Sequence, residues 1–489
     1  MTVSGSQDTS KSASMWVLGL TAVASLMVAL DVTVVTTALP TIKAHLGAST
    51  EQLEWTVNSY VLSFAVLLMT AAAVGDRLGR RRTFTLGLGL FAAASAACAL
   101  APSVGALIAA RAVQGAGAAL VAPLALALLS AAFPPERRAW ALGIFSAITG
   151  LAVLGGPVIG GAITQGISWN WIFWLNVPIG LLTIVLALAR IQESFGPNSA
   201  LDIPGLAFAI GAALGVVWGL VRGNPAGWGS IEVIGSLAIG ALLAVAFVAW
   251  ELRAIAPMLP MHLFRSRPFA PGNAATFFMA ATLFGAVYFM AQFLQTAQHN
   301  GPLDAGLRLL PWTGTLFFVA PIAGKRIGRV GERPFIAAGL LLQALGMGWI
   351  ALIASPQVAY AQLVAPMIIA GAGISMAIPA TQSAVVSHIA PQSIGKASGT
   401  FTTMRQLGAA FGVAILVAVF AGAGSYHSPQ AFSDGFTPAI AVAAGLSLAG
   451  AIAGLAIPRP RPAAAARLVP EGVEATGAVP MGVEASGAG

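Results

Sequence analysis

The chain is 489 residues long, 57% of them hydrophobic and only 8% charged, with a formal net charge of +8. A soluble domain carries roughly 25% charged residues, so a water-soluble globule is excluded: it could not cover this much apolar surface. The basic excess comes with no soluble domain to present it to nucleic acid, which leaves membrane topology and anionic lipid as its explanation.

After a leader at residues 1–15, apolar runs close to the ~20 residues a bilayer requires recur fourteen times. They are Trp16–Leu39, Val57–Val74, Thr83–Ala101, Val104–Ser130, Ala139–Thr164, Trp171–Arg190, Leu206–Leu220, Ile234–Trp250, Pro271–Gln295, Gly306–Ala323, Phe335–Ala354, Val358–Ser387, Ala397–Gly422 and Pro438–Ile457. The expected class is an all-α integral membrane protein with fourteen transmembrane helices. The first run is too long for a signal-peptide core and is read as retained. The stretch 458–489, opening on PRPRPAAAA, reads as a disordered cytoplasmic tail.

Charge placement tests that count. With the N-terminus in the cytoplasm, Lys11, Arg77, Arg80, Arg81, Arg82, Arg137, Arg138, Arg190, Arg253, Arg265, Arg267, Lys325, Arg326, Arg329, Arg333 and Lys396 fall on the cytoplasmic side with Arg459, Arg461 and Arg467 of the tail, and only Lys43, Arg222 and Arg308 on the other. That one-sidedness is the positive-inside pattern. It places both termini in the cytoplasm of a bacterial inner membrane.

The chain also repeats itself. GAGAALVAPLALALLSAAFPPERRAWALG (Gly115–Gly143) is echoed by GAGISMAIPATQSAVVSHIAPQSIGKASG (Gly371–Gly399) at an offset of 256 residues. Upstream, GDRLGR (Gly75–Arg80) is echoed by GKRIGR (Gly324–Arg329) at a slightly shorter offset. Like halves repeated in the same direction are a sign of a rocking-bundle transporter. The expected organisation is a six-helix bundle at 16–195, two inserted helices at 202–253 and a second six-helix bundle at 268–457.

Three strings carry chemistry. AAAVGDRLGRRR (Ala71–Arg82) sets Asp76 among Arg77, Arg80 and Arg81, with Gly79 between them. An Asp–Arg pair in a tight turn can latch a neighbouring helix terminus and hold one conformation closed to the cytoplasm; the alternative is a plain charged loop. LIAARAVQGAGAA (Leu107–Ala119) puts Arg111 inside a span, where an unpaired charge is costly and marks a functional residue by default. At ~1.5 Å rise per residue, Asp31 lies about 12 Å and Arg111 about 10 Å below the same surface, so the two can meet. The cation favours the carboxylate and burial the neutral acid, which suits a proton-exchanging pair; a static ion pair that fixes packing is the alternative. In the fifth helix, Gly143, Gly156, Pro157, Gly160 and Gly161 combine a kink with a face that a neighbouring helix can approach closely.

Together these strings resemble the major facilitator superfamily, and within it the fourteen-helix drug:proton antiporter group, over nearly the whole chain. The first is similar to the cytoplasmic hallmark G-x-x-x-D-R-x-G-R-[KR], with Ala72 where the leading Gly is usual. The second matches L-x-x-x-R-x-x-Q-G-x-G-A-A in full, and ALDVTVVTTALP around Asp31 resembles the first-helix signature. The third fits the antiporter pattern G-x8-G-x3-G-P-x-x-G-G, with Ala152 replacing one glycine. The resemblance implies the major facilitator fold, alternating access and export of small organic compounds against inward proton flow, with Asp31 and Arg111 in the coupling. It implies no cofactor, no ATP and a monomer sufficient for transport.

Weaker candidates complete the site. Asn58, Tyr60, Gln114, Gln292 and Gln295 are candidate cavity liners, with helix–helix hydrogen bonds as the alternative. Arg405 in TMRQLG is open between gate, substrate contact and structural roles. Arg308 snorkels from the outer end of its helix. Phe277, Phe278, Phe284, Tyr288 and Phe293 supply aromatic bulk, most of it read as lipid-facing. Glu54 sits at the mouth of the second helix, leaving Asp31 as the acid well inside a span. Cys98 has no disulfide partner, the histidines (His45, His262, His299, His388, His427) lack metal-ligand spacing, and no P-loop Lys–Ser/Thr pair occurs. An enzyme is not expected. The other readings of the fold are an uptake carrier, an exporter dedicated to one metabolite or antibiotic, and a non-transporting membrane sensor.

Overall fold

The structure, a computed structural model, describes residues 4–196, 201–386, 389 and 394–458. Among these residues no strand occurs. The long helices in chain order are α1 (Ser4–Leu46), α2 (Thr50–Leu78), α3 (Arg80–Ala99), α4 (Val104–Ala132) and α5 (Pro135–Gly166), then α6 (Trp171–Arg190), α7 (Ile203–Ala226) and α8 (Ile231–Glu251). After a 3-10 turn at Met261–Arg265 come α9 (Phe269–Ala297) and α10 (Pro302–Val330), then α11 (Glu332–Ile353), α12 (Tyr360–Val386), α13 (Ile394–Ala423) and α14 (Pro429–Leu455). By length and composition, twelve helices can cross a membrane, and fourteen when bent α2 and bent α5 each count as one span. Every span expected from hydropathy is found. The chain is a multi-pass membrane protein.

Several ends overrun the apolar runs, because polar capping turns are invisible to hydropathy. α2 begins at Thr50 because Ser49 and Gln52 cap it reciprocally: Ser49 Oγ accepts from the Gln52 amide at 3.1 Å, and Gln52 Oε1 accepts from the Ser49 amide at 2.9 Å. α14 begins at Pro429 behind Ser428, whose hydroxyl accepts from the Ala431 amide at 3.1 Å. α1 starts at Ser4, inside the segment expected as a leader, and continues through Pro40 to Leu46. α5 bends by 40° between Ala152 and Gly155, where Pro157 cannot donate to the carbonyl four residues back. His388 and the tail from Arg459 onward lie outside the described residues.

Because consecutive helices alternate in direction, the loops fall at two ends. The α2–α3, α4–α5 and α10–α11 connections mark a basic end. Lys43, Arg222 and Arg308 lie toward the opposite, far end.

The sequence repeat reappears as packing. A Cβ on Gly115 of α4 would lie 3.0 Å from the Tyr60 carbonyl carbon of α2, and one on Gly371 of α12 would lie 3.0 Å from the Trp312 carbonyl carbon of α10. Likewise a Cβ on Gly117 would lie 2.7 Å from the Phe91 amide nitrogen of α3, and one on Gly373 would lie 2.6 Å from the Gln343 amide nitrogen of α11. Glycine at these four positions lets α4 nest on α2 and α3, and α12 on α10 and α11. The two sets of helices then meet through equivalent pairs, α5 against α10 and α13 against α2. α7 and α8 pack on each other through Gly215 and Gly240: a Cβ on Gly215 would lie 2.9 Å from the Gly240 Cα.

Candidate functional site

Arg111 and Asp31 meet. Both side chains are 1% exposed, and Arg111 Nη1 donates to Asp31 Oδ2. The guanidinium is held from three further directions. Its Nη1 also reaches Gln114 Oε1 at 2.7 Å, its Nε donates to the Thr56 carbonyl at 3.1 Å, and its carbon lies 4.2 Å from the Tyr60 ring centre. A buried cation needs this much, since leaving either partner alone in an apolar interior costs several kcal/mol.

The carboxylate is served equally. Gln114 Nε2 donates to Asp31 Oδ1 at 2.8 Å and to Ser95 Oγ at 2.8 Å, and Asn176 Nδ2 donates to the same Oδ1 at 3.0 Å. Five helices therefore converge on one ion pair: α1 with Asp31, α2 with Thr56 and Tyr60, α3 with Ser95, α4 with Arg111 and Gln114, and α6 with Asn176. The glycines of α4 make this possible by drawing α2 and α3 close enough for short side chains to reach. Gln114 and Tyr60, candidate liners in the sequence, both belong to this network. Ser95 and Asn176 were not legible as site residues, although a lone Asn inside the WLNVPIG stretch is itself a polar signal in a span.

At the basic end, Asp76 pairs with Arg80 (Nε to Oδ1, 2.7 Å), and its carbonyl accepts from the Gly196 amide at 3.1 Å. The turn depends on Gly79, whose φ of +104° lies where a Cβ is strained. Glu193, in the segment after α6, accepts from the Arg81 and Arg82 amides at 2.8 and 3.2 Å. A carboxylate at these first-turn amides satisfies orphan donors and complements the positive end of α3. Arg81 also donates to the Ile191 carbonyl at 3.1 Å, while Arg77 is exposed. The motif is thus tied to the strand of chain leaving α6.

The glycine face of α5 makes two interfaces. A Cβ on Gly160 would meet the Val34 carbonyl oxygen of α1 at 2.6 Å, and one on Gly161 would meet the Pro302 carbonyl carbon of α10 at 2.7 Å. Gly156 lies against Thr33 of α1, whose hydroxyl donates to the Ala152 carbonyl at 3.0 Å. Around a Cβ on Gly143 there is open space. Nearby, Gln165 Oε1 accepts from the Leu303 amide at 3.1 Å, and Gln295 donates to the Thr37 carbonyl at 3.0 Å. Lys43 Nζ stands 3.3 Å over the Tyr426 ring. These bonds tie α1 and α5 to the second set of helices at the far end.

Glu54 is buried, 1% exposed one turn inside α2, and accepts from Asn58 Nδ2 at 3.3 Å. Asp31 is therefore not the only enclosed acid. Gln292 accepts from the Tyr426 hydroxyl at 2.5 Å. Burial pushes that hydroxyl well above the usual phenol range, and the Glu54 carboxylate pushes it the same way. Tyr288 and Phe293, read as lipid-facing bulk, are fully enclosed; Phe293 stacks on Phe436 with centres 4.4 Å apart. Arg308 lies 4.7 Å from the Tyr360 ring centre. Arg405 sits on α13 and shares no hydrogen bond, ion pair or ring contact with the Asp31 network among the described residues.

The family model for the Major Facilitator Superfamily matches residues 21–413 and 274–480. The tetracenomycin C resistance and export protein of Streptomyces glaucescens is 35% identical over 81% of this chain and 74% of its own length. The multidrug resistance protein Stp of Mycobacterium tuberculosis is 34% identical over the same shares. The cephamycin export protein CmcT of Amycolatopsis lactamdurans is 34% identical over 93% of this chain and 94% of its own. Among solved structures, the peptide transporter POT in complex with sulfate superposes with a TM-score of 0.64 at 18% identity, over 91% of this chain and 93% of that one. The xylose transporter XylE from E. coli does so with a TM-score of 0.61 at 14% identity, over 90% and 97%. With the repeat, the α4 and α5 glycine faces and the enclosed Asp31–Arg111 pair in place, the chain belongs to the Major Facilitator Superfamily.

Proposed function

We propose that this protein exports small organic compounds across the bacterial inner membrane in exchange for protons, by alternating access, with Asp31 as the proton-exchanging group. The observation that carries this reading is the enclosed network around Asp31. As a carboxylate Asp31 is an acceptor only, and its two oxygens receive donors from α4 and α6. A proton on it converts one acceptor position into a donor and removes the charge that holds Arg111. The helices it ties together then lose a common partner, so protonation and helix arrangement are coupled.

The far-end bonds, Gln295 to Thr37 and Leu303 to Gln165, fit a state closed on the outer face, with the basic end toward the cytoplasm. In this reading the two six-helix bundles, 16–195 and 268–457, rock about the seam formed by α2, α5, α10 and α13, while 202–253 is an insertion. The relatives' names support export of antibiotics. Those names include both single compounds and multidrug resistance, so substrate breadth is decided by experiment.

The test is drug susceptibility and dye efflux in a bacterium lacking its own pumps, with wild type and Asp31→Asn at equal membrane levels. Resistance that an uncoupler and Asp31→Asn both abolish supports the proposal. Resistance that survives Asp31→Asn contradicts it.

A further inference from the structure

Two arginines stand near the middle of a span: Arg111 is fully enclosed in its network, whereas Arg405 is half-buried and bare. Among the described residues Arg405 makes no hydrogen bond, ion pair or ring contact, and its Nε is buried without a partner. It lies about 16 Å along α13 from Ile394 at ~1.5 Å per residue. The helices packed against α13 are α2, α7, α9, α12 and α14, and none carries an acid in its middle turns. Glu51 and Glu54 of α2 and Asp434 of α14 are near the far end, and Asp76 is taken by Arg80. A cation within a span without a counter-charge is costly, and no acid in the middle turns of the facing helices offsets it.

Its surroundings specify what would. Gly408 packs against Phe277 of α9 and Gly412 against Ala281, so the two helices run in one register. Arg405, Gly408 and Gly412, three and four residues apart, share the face turned to α9. That register sets Arg405 opposite Ala274, next to Asn273 of α9, which is 2% exposed and whose Oδ1 has no partner. One turn above, the rings of Phe277 and Phe411 lie 5.8 Å apart. A planar fork of donors, a free amide acceptor and an aromatic pair thus lie within about two turns of one another along α9 and α13 of the second half. A guanidinium fork matches carboxylate geometry, an amide oxygen calls for a hydroxyl or N–H, and the rings suit a flat apolar body.

We propose that Arg405 is the substrate-binding cation of the second half and that the exported compounds include aromatic carboxylates bearing an adjacent hydroxyl or N–H. This rests on the export reading above, yet its test does not. Full-length protein in phosphatidylcholine nanodiscs is titrated with 3-hydroxy-2-naphthoate and with 3-hydroxy-2-naphthamide, which share ring and hydroxyl but exchange the anionic acceptor for a neutral amide. Wild type should bind the acid at least about tenfold more tightly, as a charged hydrogen-bonded pair implies. Arg405→Gln should erase that preference while leaving amide binding unchanged, and Arg405→Lys should keep part of it. Asp31→Asn should retain the preference, which separates failure of this inference from failure of proton coupling. Equal affinities in wild type, or a loss of both ligands together in Arg405→Gln, would overturn it. So would displacement of the acid by added phosphatidylglycerol, which would make Arg405 a lipid headgroup site.

Discussion

The side-chain amide of Asn176 donates to Asp31 Oδ1 across 3.0 Å, and the amide of Gln114 donates to the same oxygen across 2.8 Å. Oδ2 is left to Arg111. The ion pair is therefore embedded in a neutral frame built from α4 and α6, and α6 enters it through the Asn176 amide and the Phe173 ring, 5.8 Å from the Arg111 guanidinium carbon.

Removing the Asn176 amide tests the frame. Asn176→Ala deletes a hydrogen bond to a charged group, worth about 1.5–3 kcal/mol. The expected result is a lower thermal midpoint in detergent and export reduced, with membrane insertion intact. Asn176→Asp is expected to be worse, since it places a second acid beside Asp31. Unchanged stability and export in Asn176→Ala would remove Asn176 from the coupling site.

The far-end ties are expected to set the balance between states. Gln295→Ala and Gln165→Ala each delete one bond between the two sets of helices. Cys98 is buried and is the chain's one cysteine, so the native background for thiol labelling is low. With Thr37→Cys as reporter, a membrane-impermeant maleimide should label the double variant several-fold faster than the Thr37→Cys parent. Equal rates would show that these bonds do not hold the far end shut.

The α5 glycine face makes a separate prediction. Gly161→Val forces two methyl groups toward the Pro302 backbone, and overpacking of this kind typically costs about 1–3 kcal/mol. Export should fall with the protein still inserted, and labelling at Thr37→Cys should rise. Gly143→Val, in open space, should do neither. The pair is measured side by side because both glycines belong to the same sequence pattern.

Much of this was legible beforehand, for identifiable reasons. Hydropathy located every span, because the bilayer imposes length and apolarity on each helix independently. The glycines of α4 and their counterparts in α12 were visible as a repeat, and each proved to mark a close helix approach. Asp31 and Arg111 could be paired by depth alone. Ser95 and Asn176 could not, because a short polar side chain in a span declares neither its face nor its partner. The enclosure of Glu54, at the mouth of α2, could not be read for a related reason. Distance from a helix end says nothing of what covers it, and the second set of helices encloses this mouth. Glu193 escaped notice because it lies in a loop and acts on the α3 amides from 111 residues away.

Glu193 supplies the fourth prediction. Glu193→Ala withdraws the acceptor of two first-turn amides of α3, and loss of such a cap costs about 0.5–2 kcal/mol. Loosening the basic-end turn is expected to raise protease cleavage at Arg80–Arg82 in inside-out vesicles, while right-side-out vesicles stay protected. Cleavage from the outer face would reverse the assigned orientation.

The central claim is that Asp31 exchanges the proton that drives export. Its most direct measurement is proton release from the purified full-length protein in unbuffered detergent solution, followed with a pH-indicator dye on adding a compound it exports. Wild type is predicted to release protons on substrate binding and Asp31→Asn to release none, although it still binds the compound. Equal release from both would contradict the account.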